Sequence, residues 1–86
     1  MESRDIMLYG LISKQSPNEW YKIKELTNIF RLQIDFDSEE EHWLNHYWMG
    51  KALKRLALAI RKRRIGEGVE VILDVDKAIK KMEIFK

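Results

Sequence analysis

A chain of 86 residues with net charge +2 and no cysteine has room for one compact domain, and it excludes a disulfide framework, cysteine-ligated zinc and a thiol nucleophile. Hydrophobic residues make up 45% of it, with three Trp, three Tyr and three Phe, so it can fill a small core and is not of disordered composition. No apolar run approaches the ~20 residues needed to cross a bilayer, and the start Met1-Glu2-Ser3-Arg4-Asp5 is unlike a secretory signal, which leads to the expectation of a soluble intracellular protein.

The pattern predicts a first helix over residues 3–14, with Ile6 and Tyr9 at helical spacing and Leu8, Leu11 and Ile12 widening the stripe. Pro17 breaks the chain. Trp20-Tyr21-Lys22-Ile23 then reads as a short strand, with Trp20 assigned to the core. Residues 24–31 form a second helix with Leu26, Ile29 and Phe30 on one face. Leu32, Ile34 and Phe36 alternate with polar residues, as in an extended connector.

Asp37 or Ser38 is placed to cap a third helix running from residue 39 or 40 to 58, with Glu39, Glu40 and Glu41 at the positive end of its dipole. Met49, Leu53 and Leu56 fall on one face, while Tyr47, Lys51 and Lys54 point away. Gly50 marks either a close backbone approach or a bend. Residues 60–65 and 69–73, joined by Gly66-Glu67-Gly68, read as a β-hairpin. Asp74 or Asp76 caps a last helix over residues 75–82, with Ala78, Ile79 and Met82 inward.

The charge is segregated. Five of the seven residues from 35 to 41 are acidic, whereas seven of the fourteen from 51 to 64 are basic and none is acidic. Such a local positive field steers polyanions. Its bland counterpart is a solvated hairpin edge that resists pairing with other sheets.

The order helix, strand, helix, helix, hairpin, helix resembles the winged helix-turn-helix domain over residues 3–74. The best-matched stretch is WMGKALKRLALAIRKRRIGEGVEVIL. Gly50-Lys51-Ala52-Leu53 is similar to the Gly-x-x-Leu pattern ahead of a basic wing in winged helices of archaeal, viral and plasmid replication proteins. The resemblance implies an α+β, mostly helical fold of one domain over residues 1–86. It has a three-helix core, a two-stranded basic wing and an extra C-terminal helix.

The resemblance also implies a double-stranded DNA partner, with the third helix in the major groove and the wing on the backbone or in the minor groove. Lys51 and Lys54 would hold phosphates beside Tyr47, with Arg55 at the edge of the same DNA-facing surface, and Asn45 or His46 would reach base edges. Arg61, Lys62, Arg63 and Arg64 would supply the wing contacts, two facing nucleic acid and two facing solvent or a carboxylate. Arg64 opposite Glu70 is a plausible cross-strand pair. The role implied is transcription regulation or accessory work in DNA replication, in the cytoplasm at the nucleoid. A homodimer or a larger assembly is compatible, and no membrane is involved.

The rival reading is a protein-interaction module on the same fold, favoured by the low net charge, the acidic connector and the off-stripe Trp43 and Trp48. His42 and His46, with Glu39 or Glu41, have the spacing of metal ligands. The plainer reading is surface or half-buried histidines beside a helix cap. No phosphate-binding loop, serine elbow or other catalytic constellation is present in the sequence. The chain therefore reads as a non-enzymatic binder without a cofactor or metal.

Overall fold

The computed structural model describes residues 3–33, 44–66 and 68–84. The fold is α+β, with four helices and one three-stranded antiparallel sheet among the described residues.

Helix α1 (Ser3–Ser13) buries Leu8, Leu11 and Ile12 fully. Its last turn closes on itself. The Ser13 hydroxyl donates to the Gly10 carbonyl and the Gln15 amide to that of Leu11, satisfying acceptors that a helix end leaves open. Asn18 turns the chain at φ 63°, a left-handed conformation that Asn tolerates better than most residues. Strand β1 (Trp20–Lys22) leads straight into α2 (Ile23–Gln33), which buries Leu26, Thr27 and Phe30.

Helix α3 (His46–Arg55) starts later and ends earlier than its periodicity suggests. Asn45 is extended, and its Oδ1 accepts from the Trp48 amide at 2.9 Å. Asn45 is thus the N-cap of this helix, and the expected caps Asp37 and Ser38 lie outside the described residues. At the other end Ala57 adopts φ 55°. Its N–H donates to the Lys54 carbonyl, and the Leu58 N–H reaches back to Leu53. This is a Schellman stop, closed by the buried pair Leu53 and Leu58. An outside cation completes the cap, since Lys77 Nζ donates to the Leu56 carbonyl at 2.8 Å.

Strands β2 (Ala59–Ile65) and β3 (Gly68–Leu73) form the hairpin, and β1 adds to its free side, giving the order β1-β3-β2. Between Ala59 and Arg61 the register slips by one residue, which leaves Ile60 as a bulge, 61% exposed. Asp74 then caps α4 (Val75–Ile84) by accepting from the Lys77 amide. Its own N–H donates to Leu58, tying the start of α4 to the end of α3.

The core lies between the helices and one sheet face. Leu8, Ile12, Leu26, Phe30, Met49, Leu53, Val71 and Leu73 meet there. Helix α4 packs along α1, with Met82 against Gly10.

Expectations about five residues change. Trp20 is only half-buried and is not part of the core cluster, because the β1 register puts it beside Ile72 on the outer sheet face. Trp48 stacks on Phe30 of α2, ring centroids 5.7 Å apart at 4°, so it belongs to the rim of the core. Leu32 continues α2 and does not start an extended connector, and it is 84% exposed. Ile29 and Ile79, expected inward, are about two-fifths exposed, at 39% and 41%. The acidic stretch 35–41, His42 and Trp43 lie outside the described residues.

Candidate functional site

Helix α3, the start of α2 and the β2–β3 hairpin enclose a groove of about 860 Å³. Helical spacing brings Tyr47, Gly50, Lys51 and Lys54 to the side of α3 that faces it. The β2 register brings Lys62, since its partner Val71 is buried on the helix side of the sheet. His46 joins from the first turn of α3, and Lys22 and Lys24 from the β1–α2 junction. Ile23, Ile65 and Val69 make the apolar part of the lining.

Among the described residues the lining holds five lysines and no carboxylate. Lys24, Lys51, Lys54 and Lys62 make no ion pair with any described residue. Unneutralised cations along one concave surface raise the local concentration of a polyanion.

Of the residues expected from sequence, His46, Tyr47, Lys51, Lys54 and Lys62 come together here. The others go elsewhere. Arg55, one residue beyond Lys54, turns toward α1. Its Nη1 and Nη2 donate to both carboxylate oxygens of Asp5 at 3.0 and 2.8 Å. The Asp5 side chain is only 6% exposed. That bidentate contact holds its carboxyl below the usual carboxylate range, against the opposing effect of burial. Burial, with the charge of Asp5 added, pushes the neighbouring Tyr9 hydroxyl above its ordinary value.

Strand alternation sends Arg61 and Arg63 to the outer sheet face, with Ile72, Glu70 and Trp20. There Arg63 Nε donates to Glu70 Oε1 at 2.7 Å, and the guanidinium lies 4.1 Å from the centre of the Trp20 ring. The partner of Glu70 is therefore Arg63, not Arg64, because Arg64 sits across from Val69. Arg64 shares the face of Lys62 but lies beyond the groove lining. Asn45, outside the lining, spends its side-chain oxygen on the α3 cap.

Residues 22–24 were not singled out from the sequence. Only the pairing of Lys22 with Glu70 across β1 and β3 carries them to the hairpin, and no local pattern announces that contact. Gly50 borders no close backbone: a Cβ there would stand 3.7 Å from Ile23 Cδ1, an ordinary contact. Among the described residues no three His, Asp or Glu gather as metal ligands, and His42 with Glu39 and Glu41 lies outside them. No helix among them is long and apolar enough to cross a membrane.

The class defined by fold and site is a small α+β domain with a lysine-lined groove between a helix and a hairpin. No protein-family model, curated protein or solved structure matches the chain.

Proposed function

We propose that this chain is a DNA-binding module of the winged-helix type, holding duplex DNA between α3 and the β2–β3 hairpin. The order α1, β1, α2, α3, β2, β3, with β1 paired to β3, supports the fold reading. The observation that carries the function is the meeting of Lys51 and Lys54 of α3 with Lys62 of β2 on one groove without a carboxylate among its described residues. Lysines at such spacing neutralise several phosphates and release their counterions.

The role proposed is transcription regulation or accessory work in replication. The chemistry has no need of a cofactor. Among the described residues, the most exposed aliphatic side chains available to a second copy or a larger assembly are Leu32 at 84%, Ile84 at 70% and Ile60 at 61%.

Fluorescence anisotropy with a random-sequence duplex, repeated across salt concentrations, tests the reading. Four groove lysines on four phosphates give a log–log slope of about −3 to −4. The apolar lining by Ile23, Ile65 and Val69 favours a second reading, a protein-interaction groove. Absence of DNA binding at micromolar protein in low salt would select it.

A further inference from the structure

Duplex sequence is read by planar, bidentate donors such as Arg on guanine and Asn or Gln on adenine. The groove has none among its described lining residues. Arg55 is drawn onto Asp5, Arg63 onto Glu70 and Trp20, and the Asn45 oxygen onto the α3 cap, while Arg61 faces the outer side of the sheet and Arg64 lies beyond the lining. What remains is lysine as a point charge, an apolar floor, and an aromatic pair. Tyr47 is 71% exposed, its ring 4.4 Å from that of His46 and tilted by 32°.

Phosphates match the lysines but not the floor of Ile65 and Val69. A base face matches both the floor and the Tyr47 ring. The groove volume also falls within the range of about 300–1,000 Å³ in which small organic groups are enclosed. The apolar side of the groove is thus better suited to an unstacked nucleotide than to the smooth flank of a duplex.

We infer that the groove takes an unpaired nucleotide adjoining a duplex, stacked on Tyr47, with the lysines holding its flanking phosphates. This deepens the DNA-binding reading and rests on it. Recognition here is of strand structure rather than sequence. A tailed or gapped duplex is the preferred partner, and base identity in the duplex matters little.

The test is competitive anisotropy with the full chain and two probes, a short blunt duplex and the same duplex with a single-stranded tail. Wild-type protein is expected to bind the tailed probe about tenfold more tightly, the scale of one base stacked on an aromatic ring. Tyr47→Ala brings the tailed-to-blunt ratio close to one, and Tyr47→Phe keeps it. A fluorescent adenine analogue at the first unpaired position is quenched by wild type and Tyr47→Phe only. Equal affinity for both probes overturns this inference while leaving duplex binding intact. Binding to neither overturns both readings. Tyr47 is a surface residue, so circular dichroism matching wild type confirms that a changed ratio does not reflect misfolding.

Discussion

On the groove side of the hairpin Lys62 stands beside buried Val71 and shares its groove with Lys51 and Lys54, with no carboxylate among the described lining. On the outer side Arg63, the next residue, is clamped between the Glu70 carboxylate and the Trp20 ring. The two differ in what the fold has done with their charge. Lys62 keeps an uncompensated cation available for a partner, whereas Arg63 has been spent on the sheet itself. Guanidinium geometry explains the division, because a planar fork gains from a fixed carboxylate and an aromatic face while an ammonium gains less. The same division recurs on α3, where Lys54 faces the groove and Arg55 faces Asp5.

Replacing Lys51, Lys54 and Lys62 together by Ala breaks one side of this comparison, and the effect is the largest expected. Each phosphate contact contributes about 0.9 to the salt slope, so near 0.1 M salt three losses weaken duplex binding by about two to three orders of magnitude. Arg63→Ala breaks the other side. It weakens binding far less, and it lowers stability by about 1 kcal/mol through the lost ion pair and ring contact, both partly exposed. Anisotropy and urea denaturation on the two variants measure both quantities. Equal binding losses would show that the outer arginines belong to the interface after all.

The Asp5–Arg55 pair allows a sharper test, through the sign of a pH dependence. In the native protein the Asp5 carboxyl sits below its ordinary range. Its contribution is therefore full above the unfolded value near 4 and fades as pH falls through the lower folded value. Arg55→Met removes the guanidinium and leaves a buried carboxylate, which desolvation pushes upward. The sign then reverses: the variant loses stability as pH rises through the carboxylate range, whereas wild type gains it. At neutral pH the cost is about 2 kcal/mol, discounted because Arg55 is itself half-exposed. Asp5→Asn, which leaves no buried charge, costs less and flattens the slope. Thermal melts from pH 3 to pH 8 on the three proteins separate these outcomes, and an unreversed slope in Arg55→Met would show that Asp5 gains solvent access or another cation.

How much of this was legible beforehand follows the range of the interactions involved. The hairpin was readable because two β-capable runs flank a Gly-containing loop. The first and last helices were readable because their stripes and the Asp74 cap are local signals. The ends of α3 were not. The Ala57 stop lacks the glycine that usually marks such a turn, and the helix-like run through Leu58 is apolar for a different reason: Leu58 locks the Schellman turn. The groove was half legible. The spacing of Tyr47, Lys51 and Lys54 gave one wall, but which hairpin cations join it depends on register. The expected pair of Arg64 with Glu70 is one residue out, since Arg63 stands across from Glu70 and Arg64 across from Val69. A β1 strand of three residues brings in Lys22 and Lys24 through a contact some fifty residues away in sequence.

Gly50 gives the smallest expected effect, and it separates the groove from the scaffold. It lies in the middle of α3, where glycine costs about 1 kcal/mol relative to alanine. A Cβ there meets only Ile23 Cδ1 at ordinary contact distance, so Gly50→Ala is accommodated without strain and raises stability by about 0.5–1 kcal/mol. The same methyl enters the groove lining between Tyr47 and Lys54. A more stable protein that binds tailed DNA more weakly is therefore the expected result, read by chemical denaturation and anisotropy on one variant. If stability and affinity rose together, the glycine would have served neither the groove nor its occupant. The comparison would then rest on the lysines alone.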